Sequence, residues 1–211
     1  YLDHNPAYKD FYQEKISKLS KFDGLLTISN SALAEAKQYL DFDEDYLCNI
    51  SSACDKDLFF PSKTNNIYIH TFSKRLGQFI LYSGAADLRK NLKGLLEAYS
   101  LLPKKILSNY KLVLAGKLLD DELCQINTWM SDFLIPNQNI EILGYVSDEE
   151  LVSLYRSCSL FVFPSFHEGF GLPVLEAMSC GSPVIGSDVT SIPEIIPTKD
   201  ALFNPNQPKL I

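Results

Sequence analysis

From Phe79 onward, short apolar runs alternate with longer stretches in which apolar residues recur every three or four positions. The runs "FILYSG", "YKLVLAG" and "IEILG" each end on glycine, and "SLFVFPS", "SPVIGSD" and "ALFNP" follow them. Between the runs, "NLKGLLEAYSLL" places Leu92, Leu95, Leu96 and Leu102 at helical spacing, and "DDELCQINTWMSDFL" has the makings of a helix. "SDEELVSLYRSC" opens with Ser147 and Glu150 at capping-box spacing, and "PVLEAMSCG" and "SIPEII" predict two further helices. Continuous apolar strands separated by amphipathic helices imply a parallel sheet covered on both faces. With right-handed crossovers this is an α/β fold, a doubly wound, Rossmann-like parallel sheet with six strands between Phe79 and Phe203.

The first third reads differently. Residues 8–20 look helical, "FDGLLTIS" a strand, "NSALAEAKQYL" a helix and "YLCNIS" a second strand, or about one βαβ unit. Two parallel strands do not cover both of their faces, so this piece is expected to dock on the larger domain or on something outside the chain. "FFPSKTNN" reads as a linker, which divides the chain into 1–62 and 63–211. The first residues are polar and resemble no signal peptide, and without an initial methionine the chain reads as a piece of a longer protein.

Composition narrows the functions. The 211 residues carry a formal net charge of -7, and the longest basic grouping is Lys74 with "RLG", so a nucleic-acid surface is not expected. No apolar run approaches the length of a membrane span. Five cysteines without a CxxC pair read as reduced thiols, and His4, His70 and His167 lack metal-ligand spacing.

Open parallel sheets bind ligands beyond the carboxyl ends of their strands, so the residues just after each strand matter most. After the first comes "SGAADLRKN". Gly84 lets a ligand approach the backbone, and Arg89 and Lys90 stand just before a helix start, a combination suited to a diphosphate. Taken alone, they read better as a solvated basic pair on a loop. There is no GxGxxG, which disfavours an NAD enzyme. After "LFVFPS" comes "FHEGFGLPVLEAM". Gly169 and Gly171 free the amides of a loop entering a helix, with Pro173 in its first turn. Glu168 on the loop and Glu176 one turn inside the helix are placed to accept hydrogen bonds from sugar hydroxyls. Against this, Glu176 suits a positive helix end in any protein, Phe170 reads as packing, and His167 reads as a neighbour of the site.

The order of these motifs, from "YSGAADLRKN" through "EGFGLPVLEAMSCGSPV", resembles the donor-binding domain of family 4 retaining glycosyltransferases over about residues 79–205. "FDGLLTISNSALAEAKQYL" is similar to the last βαβ unit of that family's acceptor-side domain. The resemblance implies two facing Rossmann domains (the GT-B arrangement), here the donor-binding domain with a partial βαβ remnant of the N-terminal one. It implies a nucleotide-diphosphate sugar as donor and retention of configuration. Glu168 would face the donor sugar at the reacting carbon as the catalytic residue, and Glu176 would hold the ribose. Lys90, with Arg89, would neutralise the diphosphate. Gly84, Gly169, Phe170, Gly171 and Leu172 would line the donor, Tyr145 and Val146 would flank the base, and Lys117 would approach the ribose. No metal or other cofactor is expected. The "DLRKN" loop looks like that of mannosyltransferases of bacterial surface polysaccharides, hence GDP-mannose as donor and a glycan or lipid-linked acceptor. The setting would be cytoplasmic, with peripheral membrane contact through the missing half left open. Ala85 departs from the family's usual arginine. A histidine-bearing loop and a closing helix are absent, so the chain alone is expected to be inactive in transfer. A nucleotide-sugar epimerase and a non-catalytic partner subunit of the same fold are the alternatives.

Overall fold

A computed structural model describes residues 6–19, 21–62, 72 and 74–211. His4, His70 and residues 63–66 of the expected linker lie outside the described residues.

The larger unit is built on six parallel strands: β3 (Gln78–Ser83), β4 (Tyr110–Ala115), β5 (Ile140–Gly144), β6 (Leu160–Phe163), β7 (Val184–Ser187) and β8 (Leu202–Phe203). They lie in the order β5-β4-β3-β6-β7-β8. Numbered from β3, this is the 3-2-1-4-5-6 order of dinucleotide-binding sheets, with the reversal between β3 and β6. Helices cover both faces. Leu92, Leu95, Leu96 and Tyr99 of α3 (Leu92–Ser100) join Ile126 and Met130 of α5 (Asp120–Asp132) against Tyr82, Leu112 and Leu114. On the opposite face lie Val152 and Tyr155 of α6 (Asp148–Ser157), Val174 and Ala177 of α7 (Leu172–Ser179) and Ile192 of α8 (Ile192–Ile195). They pack on Phe79, Phe161 and Phe163. Each fully buried Phe or Leu contributes roughly 1.5–3 kcal/mol of transfer free energy, so the two faces together hold the sheet. Ser147 and Glu150 form the expected capping box at the start of α6. A one-turn helix not expected from the pattern, α4 (Lys104–Leu107), follows Pro103.

Three strands end on glycine at positive φ: Gly84 at 145°, Gly116 at 147° and Gly144 at 70°. At Gly116 the reason is contact. A Cβ there would lie 2.1 Å from the carbonyl oxygen of Gly84, so the ends of β3 and β4 approach backbone to backbone.

The N-terminal unit comprises α1 (Lys9–Leu19), β1 (Leu25–Thr27), α2 (Asn30–Tyr39) and β2 (Leu47–Asn49), with β1 and β2 parallel. Both strands are shorter than their apolar runs. No residue of α1 is buried, and Phe11, Ile16, Leu26 and Ile28 are exposed, so α1 and the face of β1 that bears Leu26 lack a partner layer among the described residues. What anchors the unit is the start of α2, which packs against the loops of the larger sheet.

Candidate functional site

The site is built where β3 and β6 part. Beyond β3, Asp87 caps the turn Leu88–Lys90 by accepting from the Arg89 amide at 3.0 Å. Asn91 then takes a left-handed conformation (φ 53°) and caps α3, its Oδ1 accepting from the Gly94 amide at 3.2 Å. Its Nδ2 donates to the carbonyls of Pro164 (3.1 Å) and Pro205 (2.9 Å). The Phe166 amide donates to the Arg89 carbonyl at 2.7 Å. These bonds stitch the loop after β3 to the loops after β6 and β8.

The stitching brings Lys90 to Glu168. Lys90 Nζ lies 2.7 Å from Glu168 Oε1, with side-chain exposures of only 20% and 13%. The ammonium also lies 5.5 Å from the centroid of Phe163. The part-buried carboxylate is thus compensated, and the lysine keeps two further N–H donors for another anion. Arg89 points elsewhere. Its guanidinium is engaged by Asp87 at 3.0 Å on the exposed rim. Adjacent residues of a three-residue-per-turn helix diverge by a third of a turn, which separates the two cations.

Glu168 is positioned from behind. Its amide donates to Thr190 Oγ1 at 3.1 Å, and Ser191 Oγ donates to its carbonyl at 3.0 Å. Gly171 caps α7 at φ 113°, where a Cβ would come within 2.6 Å of Ile192 Cδ1, and Pro173 stands in the first turn. The amides of Gly169, Phe170, Gly171 and Leu172 find no acceptor among the described residues. Four successive N–H groups at a helix N-terminus form an anion-binding edge. Phe170's side chain is buried, whereas Leu172 is 39% exposed.

Glu176 faces the same region by another route. Tyr155 Oη donates to Glu176 Oε2 at 3.2 Å and lies 3.0 Å from Ser83 Oγ, at the end of β3 and next to Gly84. Burial raises the Glu176 carboxyl above its ordinary range, only partly offset by the tyrosine hydrogen bond. Burial likewise pushes the Tyr155 hydroxyl well up, so it remains a proton donor.

The remaining expected residues lie along the same rim. Lys117 follows Gly116 and is exposed; Tyr145 follows Gly144 and is 79% exposed; Val146 packs partly on the core. They stand one and two strands from β3, at the carboxyl ends of β4 and β5. Lys90, Glu168 and the 169–172 amides therefore form one group; Glu176 lies in the helix those amides open and is tied through Tyr155 to Ser83 at the end of β3, and Lys117, Tyr145 and Val146 lie further along the rim.

Sequence reasoning missed Ser29, Ser83, Tyr155, Thr190 and Ser191. Ser29 carries a helix-capping signal and no hint of its distant partner, and Tyr155 reads as one more core residue of an amphipathic helix.

Residues 71–211 match the model of a protein family described as glycosyl transferases group 1. The chain belongs to that family. Among curated relatives of this glycosyltransferase chain, the serotype-specific mannosyltransferase WbdA of Escherichia coli is 38% identical over 96% of the chain, which spans 25% of WbdA. The O-antigen chain mannosyltransferase B of Escherichia coli is 35% identical over 97% of the chain and 54% of that protein's length. The chain thus spans between a quarter and about half of these relatives. Among solved structures, Anabaena Alr3699/HepE in complex with UDP and glucose matches with a TM-score of 0.79 at 19% identity, over 94% of this chain and 54% of that one. WaaG, a glycosyltransferase involved in lipopolysaccharide biosynthesis, matches with a TM-score of 0.73 at 18% identity, over 88% of this chain and 51% of that one. Identities this low speak for the fold alone, and they support the GT-B arrangement expected from the motifs. No helix among the described residues is long and apolar enough to cross a membrane.

Proposed function

We propose that this glycosyltransferase chain binds a nucleotide-diphosphate sugar at the β3/β6 crevice, and that the protein to which it belongs transfers a hexose from it with retention of configuration. The observation that carries this reading is the 2.7 Å contact between Lys90 and Glu168 beside the unpaired amides of residues 169–172. Transfer breaks the bond between the anomeric carbon and the diphosphate oxygen, so negative charge grows on the leaving group. Lys90 and the amide edge are fixed positive charges aimed at that growing charge, and fixed dipoles in a water-poor cleft are the most effective way to stabilise it. In this reading these groups serve without a metal. Glu168 sits on the sugar side of the diphosphate and Glu176 accepts from the ribose hydroxyls. Lys117, Tyr145 and Val146 carry the nucleoside along the rim.

Mannose is the sugar this proposal favours, with GDP as its carrier and a glycan or lipid-linked acceptor. The support is that relatives spanning nearly the whole chain are named mannosyltransferases, two of them at 38% and 35% identity. Calorimetric titration of the intact protein with GDP-mannose, UDP-glucose and ADP-glucose tests the donor, and proton NMR of the glycoside formed tests the configuration. GDP-mannose is expected to bind most tightly and to give the α-anomer from its α-linked donor. Binding of another donor in its place would refute the sugar assignment, and no heat with any of them would refute the site.

A further inference from the structure

Three successive carbonyls of the crevice loop are tied down by hydroxyl groups. Ser191 Oγ, whose single proton is shared, lies 3.0 Å from the Glu168 carbonyl and 2.6 Å from that of Phe170. Ser29 Oγ donates to the intervening Gly169 carbonyl at 2.6 Å. Both serines are fully buried. In a planar trans peptide the C=O and the following N–H point in opposite directions. Fixing the carbonyls of residues 168, 169 and 170 therefore fixes the N–H groups of Gly169, Phe170 and Gly171, which are the amides of the anion-binding edge. The middle one depends on a residue from the N-terminal unit.

Ser29 is itself held in place. It caps α2, accepting from the Ala32 amide at 2.9 Å. The two preceding amides, Asn30 and Ser31, both donate to the Glu194 carboxylate at 2.8 Å. The first three donors of α2 are thus satisfied, two of them by a carboxylate on α8, one turn from Ser191. A helix start offers partial positive charge to such a carboxylate. His167, next to Glu168, adds a third tie, its Nε2 lying 2.7 Å from Glu35 of α2.

We propose that Ser29 and Glu194 are positioning residues for diphosphate binding: the loop aims its amides only while the start of α2 is seated on Glu194. Seating of the N-terminal unit and grip on the diphosphate then rise and fall together, and by linkage each strengthens the other equally. This rests on the functional reading above.

The test uses the intact protein and whichever of GDP, UDP or ADP the wild type binds most tightly, with its parent nucleoside as a phosphate-free control. Ser29→Ala is expected to weaken the diphosphate about five- to ten-fold, the worth of one hydrogen bond, and to leave the nucleoside unchanged. Ser29→Thr, which keeps the hydroxyl, restores affinity. Glu194→Gln shifts affinity in the same direction and carries the test should Ser29→Ala fail to fold. In the wild type the diphosphate is expected to slow hydrogen exchange at residues 30–33, and in Glu194→Gln it does so less. Lys90→Ala is the reference. If it weakens the diphosphate while Ser29→Ala and Glu194→Gln do not, this inference is overturned and the site stands. Equal loss for nucleoside and diphosphate overturns it too, as general damage. If Lys90→Ala changes nothing, the functional reading falls and this inference with it.

Discussion

The ammonium of Lys90 and the carboxylate of Glu168 meet at 2.7 Å although 78 positions separate them in the chain. Neither helix packing nor strand pairing makes this contact. It arises because β3 and β6 are neighbours whose chains leave in opposite directions, so the loop after each faces the other. In the proposed function this cation and acid serve the two ends of an activated sugar, one its diphosphate and one its ring.

Replacing the lysine separates those ends. In Lys90→Ala the affinity for a nucleoside diphosphate is expected to fall by about 2 kcal/mol, near thirty-fold, the scale of a charge-assisted hydrogen bond. Affinity for the parent nucleoside should change little. Titration calorimetry of both ligands checks the difference, and an equal loss for the two would remove Lys90 from the diphosphate site.

Glu176 gives a pH-dependent signature. Its carboxyl is raised by burial, so the folded state prefers the protonated form. The stabilising contribution of this group is complete below its unfolded value and is lost as pH rises through the folded one. Glu176→Gln mimics the protonated acid and is expected to be more stable than the wild type at pH 7, with the gap closed by the time pH has fallen to the ordinary carboxyl value of 4.5. Urea unfolding at the two ends of that range measures it. Under the proposed ribose role of Glu176, the same variant is expected to bind a ribonucleotide more weakly, because an amide oxygen is a weaker acceptor than a carboxylate.

Gly116→Ala tests the approach of β3 to β4. The added carbon meets the Gly84 carbonyl at 2.1 Å and the backbone stands at φ 147°, where side chains are strained. A loss of about 3 kcal/mol is expected in chemical denaturation. A loss below half a kilocalorie would mean the strand ends part easily.

The thiols should divide by burial. Cys48 and Cys124 are exposed, whereas burial pushes Cys158 and Cys180 up to about 11. An electrophilic thiol reagent at pH 7 is expected to label the first pair in minutes and the second pair only on unfolding, because the thiolate is the reactive form. Peptide mapping by mass spectrometry distinguishes them.

Much of the larger unit was legible in the sequence because its signals are local. Apolar runs closing on glycine marked the strand ends, and the order of loops and helices put Lys90 and Glu168 beyond the strand ends, where the structure brings them into contact. The pairing of Arg89 with Asp87 was not legible, since it depends on the handedness of a single turn. Nor were Ser29, Thr190 and Ser191, whose hydroxyls act on a loop 140, 22, and 23 or 21 positions away. A serine's capping preference is a local property, and its tertiary partner leaves no trace in spacing. In the N-terminal unit the apolar runs promised longer strands than the three-residue pairs observed, because strand length there depends on a cover that the run itself does not specify.

Asn91 has a consequence for the order of assembly. One side chain holds the start of α3, the exit of β6 and the exit of β8, the last through Pro205. During synthesis the first two can meet long before residue 205 emerges, but one N–H of the Asn91 amide is then without its acceptor. The third tie of Asn91 therefore closes only after residue 205 has emerged, so the turn at the head of α3 is not finished until β8 has been made.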